Sequence, residues 1–240
     1  MKIGDLVRRV RDGDRGALAR LISLLESEEV AEFGDSPPQR RRRVGITGPP
    51  GVGKSTLIGQ LISRLRSQGH TVAVLAVDPS SPLTGGALLG DRIRMQVHVD
   101  DPDVFIRSMA TRGHLGGLSA SAAQAILAME VAKFDYVLVE TAGVGQSEVE
   151  VMDHVDCVVL VLGPSWGDQI QAEKAGVVEI ADVIVINKTD LPGAAEVRRA
   201  LTQSGVAGER ELLNTVATTG DGVDDLVAVI DAATPTRIAK

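Results

Sequence analysis

The stretch Gly48-Pro-Pro-Gly-Val-Gly-Lys-Ser-Thr56 constrains this 240-residue chain more than any other. Gly48, Gly53, Lys54 and Ser55 stand at the spacing of a phosphate-cradling P-loop. The apolar run Val44-Gly-Ile46 leads into it, and helix-compatible sequence from Leu57 to Leu65 follows. Gly51 and Gly53 permit backbone angles that a side chain forbids, so consecutive N–H groups can turn inward and ring a phosphate at a helix N-terminus. Gly48, Pro50, Gly51, Val52, Gly53, Lys54, Ser55 and Thr56 are therefore the candidate phosphate-binding residues. Lys54 is placed to reach the β- and γ-phosphates as a point charge, and the Ser55 hydroxyl to ligate Mg²⁺.

Composition narrows the fold around this loop. Hydrophobic residues make up 44% and aromatic residues only 2%, so the core must be built from Val, Ile, Leu and Ala, as in parallel sheets covered by helices. The same scarcity of rings, with a net charge of -7, argues against a general nucleic-acid binder. No apolar run approaches the length of a membrane span and the N-terminus has no signal-peptide core, so a cytoplasmic protein without membrane contact is expected. The only cysteine, Cys157, lies in an apolar run and reads as a buried strand residue.

From Val44 onward, apolar β-rich runs alternate with helical patterns. Strands are expected at Val44–Thr47, Thr71–Val77, Val104–Ser108, Tyr136–Thr141, Cys157–Leu162, Val183–Asn187 and Leu213–Ala217. Helices are expected at Ser55–Gln68, Asp91–His98, Ser119–Lys133, Gln169–Glu179, Ala194–Ser204 and Val223–Ala232. The fold class is α/β: a P-loop nucleoside-triphosphatase fold with a mostly parallel sheet of about seven strands and helices on both faces. Ahead of it, Ile3 to Leu25 carries apolar positions at helical spacing, broken around Asp12-Gly-Asp14, which predicts two short amphipathic helices. Residues 1–36 are accordingly read as a helical N-terminal extension and 37–240 as the nucleotide-binding domain. The basic run Arg40 to Arg43 between them reads as a solvated approach to the first strand, with an acidic partner patch as the alternative.

Ligands of such sheets sit beyond the carboxyl ends of the strands, so the polar residues there carry the chemistry. Asp78 ends the second strand run, and Asp91 follows its loop. Mg²⁺ takes a nearly octahedral set of oxygens and keeps several waters, which makes these two carboxylates metal candidates. Tyr136-Val-Leu-Val-Glu140 runs into Thr-Ala-Gly143. Glu140 would touch Mg²⁺ through a water, and the Gly143 N–H would sense the γ-phosphate. Gln146 is a candidate for positioning the attacking water. Val183-Ile-Val-Ile186 leads into Asn187-Lys-Thr-Asp190. Asp190 can accept both hydrogens from guanine N1 and N2, Lys188 can lay its stem across the base, and Asn187 can brace the loop. GTP and GDP are thus the expected ligands, with ATP rejected for want of matching donors. Val216, Ala217 and Thr218 lie where a last loop would touch the guanine edge.

These motifs, together with Asp78-Pro-Ser-Ser-Pro82, Gly90-Asp-Arg-Ile-Arg-Met95, Arg112-Gly-His-Leu-Gly-Gly117, Glu140-Thr-Ala-Gly-Val-Gly-Gln-Ser-Glu148 and Lys174-Ala-Gly176, resemble the MeaB/ArgK family of GTPases from Arg43 to Ile230. The resemblance implies a chaperone of adenosylcobalamin-dependent acyl-CoA mutases such as methylmalonyl-CoA mutase, gating cofactor loading and protecting against inactivation. It also implies that Lys54 and Ser55 hold phosphate and Mg²⁺, that Asp78, Asp91 and Glu140 are acidic metal-site residues, and that Gly163 to Lys174 is a further switch that communicates with the mutase. Trp166, the only tryptophan, lies in that loop and reads as local packing, with a partner contact as the alternative. Free-standing members usually continue into a C-terminal helical arm that builds a dimer. This chain stops at Lys240, so any homodimer is expected to use another surface. Two other readings compete: a small-molecule kinase, against which Asn187-Lys-Thr-Asp190 speaks, and a nickel-insertion GTPase, against which the scattered His70, His98, His114 and His154 speak.

Overall fold

The computed structural model describes residues 3–27, 42–78, 96–110, 117–141, 150–164, 175–205, 207–208 and 210–233. Seven strands form one sheet: β1 (Arg42–Thr47), β2 (Val72–Asp78), β3 (Val104–Ala110), β4 (Tyr136–Thr141), β5 (Cys157–Leu162), β6 (Val183–Asn187) and β7 (Glu211–Thr215). Their order is β3-β2-β4-β1-β5-β6-β7, and every neighbouring pair is parallel. Strands β4, β5 and β6 are buried at every position. That is the burial a parallel strand covered on both faces requires, and it explains why these segments read as unbroken apolar runs. Cys157 is buried within β5.

Helices cover both faces. Alternate residues of β2 point to opposite sides: Val72 and Val74 join one core, with α3 (Lys54–Ser67), α6 (Ala194–Ser204) and α7 (Val223–Ala232). Ala73, Leu75 and Val77 join the other, with α1 (Ile3–Arg11), α2 (Arg15–Glu26) and α4 (Gly117–Val131). A short α5 (Ala175–Ile180) precedes β6. The first two helices form because Leu6, Val7 and Val10, then Leu18, Leu21, Ile22 and Leu25, fall on single apolar stripes. Gly13 turns the chain between them at a φ of 88°, and the Asp14 carboxylate caps α2 by accepting from the Ala17 N–H at 2.9 Å. The same bond and the neighbouring Arg9 guanidinium hold the Asp14 carboxyl below its ordinary range. These helices pack on the sheet face itself and share a core with β2 and α4.

Several expected boundaries move. The last strand lies two residues earlier than the apolar pattern suggested. Val216 donates its N–H to Asp221 across an antiparallel bridge, and Ala217 donates its N–H to a side chain, so both leave the ladder. Of the segment expected to be helical from Asp91 to His98, Gln96–His98 forms a 3₁₀ turn. Residues 91–95 lie outside the described residues, as do 169–174 of the helix expected at Gln169–Glu179.

Of the basic run, Arg40 and Arg41 lie outside the described residues, and Arg42 and Arg43 correct the expectation of a solvated approach. Arg43 donates to both oxygens of the buried Asp156, at 3.1 and 2.7 Å, and the Arg43 N–H adds a third bond to the same carboxylate. Arg42 donates to the carbonyls of Ile230, Asp231 and Ala233 at the C-terminal end of α7, where the helix leaves its last carbonyls unpaired. Both side chains hold the fold together, an outcome that charge patterning alone does not foretell.

Candidate functional site

The phosphate cradle hangs from the carboxyl end of β1, the strand at which the sheet order reverses between β4 and β5. Gly48, Gly51 and Gly53 take φ values of 144°, 78° and 98°. Two of these positions also leave no room for a side chain. A Cβ on Gly48 would collide with the Val161 carbonyl oxygen of β5, and one on Gly53 would come within 2.5 Å of Asn187 Nδ2. Glycine is therefore required both by backbone angle and by close approach. Val52 is buried between them, while Pro50 and Gly51 face outward.

Helix α3 begins at Lys54, and its first turn carries the reactive side chains. Lys54 is only 6% exposed, with Nζ donating to the carbonyls of Gly48 at 2.8 Å and Pro49 at 2.9 Å. The ammonium is thus held inside the loop that would receive the phosphates. Beside it the Ser55 hydroxyl donates to Glu140 Oε1 at 2.7 Å, and both residues are buried. Glu140 reaches this place because it stands opposite Ile46 in the β1–β4 register, near the carboxyl end of β4. One residue on, the Thr141 hydroxyl donates to that of Thr47 at 3.0 Å, tying the two strand ends together. Asp78 closes β2 at the same edge, its backbone two positions past the partner of Glu140. Asp91, Gly143, Gln146 and Trp166 lie outside the described residues.

The third part of the site comes from the end of β6. Asn187 is 1% exposed and spans two loops: its Nδ2 donates to the Val52 carbonyl at 2.8 Å, while its Oδ1 accepts from Thr215 Oγ1 and the Ala217 N–H, each at 3.0 Å. Lys188 takes a φ of 61° and donates from Nζ to the Gly51 carbonyl at 2.7 Å, which lays its stem along the cradle. Asp190 stays exposed. Lys188 and Asp190, with Gly53, Thr56, Asn187, Leu191, Val216, Ala217 and Thr218, line a cleft of about 160 Å³. The Ala217 N–H is committed to Asn187, whereas the Thr218 N–H meets no protein acceptor among the described residues. Sequence reasoning did not single out Leu191 or the Thr47–Thr141 pair.

Removing the Asn187 side chain strands three buried partners at once. Asn187→Ala is expected to cost roughly 3 kcal/mol of folding stability, the order of cost for buried hydrogen-bonding groups left unmet. A urea midpoint unchanged from the wild type would contradict this.

Cradle, lysine and recognition loop all occupy strand ends along one carboxyl edge of a parallel sheet, and that makes this a P-loop nucleoside-triphosphatase. A finer assignment follows from relatives. The family described as Methylmalonyl Co-A mutase-associated GTPase MeaB matches residues 18–236, and the chain belongs to it. It is therefore a GTPase that binds guanine nucleotide.

A Pyrococcus horikoshii protein provisionally named a GTPase is 48% identical over 238 residues, covering 93% of this chain and 75% of that protein. The mouse mitochondrial methylmalonic aciduria type A homolog is 44% identical over 182 residues, covering 76% of this chain and 43% of its own. A crystal structure of a LAO/AO transport system kinase aligns with a TM-score of 0.67 at 28% identity, over 96% of this chain and 75% of that one. Among the described residues, no helix is long and apolar enough to cross a membrane.

Proposed function

We propose that this GTPase is a nucleotide-dependent chaperone of an adenosylcobalamin-dependent acyl-CoA mutase in the cytoplasm, regulating cofactor loading and protecting the mutase. The observation that carries the switch reading is the Asn187 bridge, since one buried amide joins the phosphate cradle at Val52 to the base loop at Thr215 and Ala217. A change at either end of the nucleotide is then felt at the other. The mutase as client is supported by the family's description and by the name of the mouse relative.

In this reading the P-loop amides and Lys54 hold the triphosphate and offset the charge that grows on it during in-line attack by water. Asp190 accepts from guanine N1 and N2, the stem of Lys188 lies against the base, and the uncommitted Thr218 N–H donates to the guanine O6. Val216 and Ala217 hold that loop in place. The Ser55 hydroxyl and Glu140 carboxylate are two buried hard oxygen donors 2.7 Å apart, a set that suits Mg²⁺, with Asp78 and Asp91 as further acidic candidates. Bound Mg²⁺ would supply charge neutralisation between the β- and γ-phosphates. Gly143 and Gln146 are assigned to γ-phosphate sensing and water positioning.

Slow turnover alone and acceleration by the partner are expected of such a switch. The test has two parts. GDP with magnesium at about a thousandfold excess over its Kd should stabilise the fold by about 4 kcal/mol, and ADP should not. GTP hydrolysis should then rise when a cobalamin-dependent mutase is added to saturation. Protection by ADP in place of GDP would overturn the base assignment, and an unchanged hydrolysis rate would overturn the mutase role.

A further inference from the structure

The ladder between β1 and β4 runs from Arg42 opposite Tyr136 to Ile46 opposite Glu140 and stops there. One residue further on, each strand follows its outer neighbour: Thr47 pairs with Leu160 of β5, and Thr141 with Val77 of β2. Gly48 continues that lean, lying so close to β5 that a Cβ on it would sit 2.1 Å from the Val161 carbonyl oxygen. The main chains of β1 and β4 therefore part company at the level where the phosphate cradle begins and where Glu140 meets Ser55.

Side chains act at that level on both faces of the sheet. Glu140 points to the face covered by α3, as Tyr136 and Leu138 do, and accepts there from Ser55. Thr47 and Thr141 point to the opposite face, where both are buried and Thr141 Oγ1 donates to Thr47 Oγ1 at 3.0 Å. Two valines would fill the same space with no polar atom to satisfy, so stability alone does not call for a pair of hydroxyls here. What the hydroxyls add is a directional bond across the place where the ladder has ended. We propose that Thr47 and Thr141 are positioning residues for GTP hydrolysis, their bond fixing the end of β4 against β1 and so holding the Glu140 carboxylate where, with Ser55, it meets Mg²⁺. They act through Glu140. This inference rests on the GTPase reading and on Ser55 and Glu140 as the Mg²⁺ donors.

The test is calorimetric titration of the full chain with a non-hydrolysable GTP analogue, in Mg²⁺ and in EDTA, which reads the metal site without turnover. The key variant is Thr47→Val/Thr141→Val, which removes the bond yet leaves no hydroxyl stranded, so its melting without nucleotide should stay close to wild type. Its affinity in EDTA should stay within twofold of wild type, because the cradle amides and Lys54 are untouched. The factor by which Mg²⁺ tightens the analogue should shrink about five- to tenfold, the size of one hydrogen bond's net worth. The Mg²⁺ concentration for half-maximal GTP hydrolysis should rise by the same factor. Thr141→Ala should show the same loss, and it decides the matter if the double variant does not fold. Thr141→Ser, which keeps the hydroxyl, should restore the wild-type factor. If Mg²⁺ tightens the analogue equally in wild type and in the variants lacking the bond, the inference is overturned and the GTPase reading stands. If wild type fails to bind the analogue, or binds it without help from Mg²⁺, the reading of the site falls and this inference with it.

Discussion

Lys54→Ala should lower the rate of GTP hydrolysis by about 10²- to 10³-fold, the order of loss when a preorganised donor aimed at developing charge is deleted. The expectation follows from where the ammonium is kept. It is buried and bound to the Gly48 and Pro49 carbonyls, so it needs almost no reorganisation to meet a phosphate entering the same loop. Lys54→Arg should fail nearly as badly. A planar guanidinium of greater bulk cannot occupy the space of a point charge between two carbonyls. Single-turnover hydrolysis with radiolabelled GTP is the measurement, and a loss smaller than tenfold would show that the loop places some other group on the γ-phosphate.

Asp190→Asn should reduce GTP affinity by about 10³-fold, because two donors on guanine then face an amide that can accept from only one of them and presents its own N–H to the other. The same change should create affinity for xanthosine nucleotides, whose position 2 carries a carbonyl oxygen where guanine has an amino group. Loss and gain together separate base reading from damage to the fold, since an unfolded variant would bind neither. Asp190 is exposed on a turn held by Lys188 and Leu191, so its replacement should leave the melting temperature without nucleotide in place. Equal loss for guanosine and xanthosine nucleotides would refute the assignment.

How much of this was legible in the chain differs from element to element. The strands Tyr136–Thr141, Cys157–Leu162 and Val183–Asn187 stand where their apolar runs predicted, since a central parallel strand must be apolar on both faces and that requirement writes itself into consecutive residues. The final strand was misplaced by two residues. It lies at the sheet edge, is only partly buried, and ends where Ala217 turns to donate to Asn187, a partner 30 residues away. Arg42 and Arg43 were misread for a similar reason. A run of arginines looks solvated until α7 and Asp156 arrive beside it.

The sequence by itself determined the cradle, the sheet class and the base-reading motif, because each depends on residues within a few positions of one another: glycines where φ must be positive, a lysine and a hydroxyl on the first turn of a helix, a carboxylate three residues beyond an asparagine. Only the tertiary structure decided how these pieces meet. Ser55 and Glu140 are 85 residues apart yet share a buried hydrogen bond, and Asn187 reaches back 135 residues to Val52. Such distances are closed by strand order, and strand order is a property of how whole faces are buried, which no local pattern records.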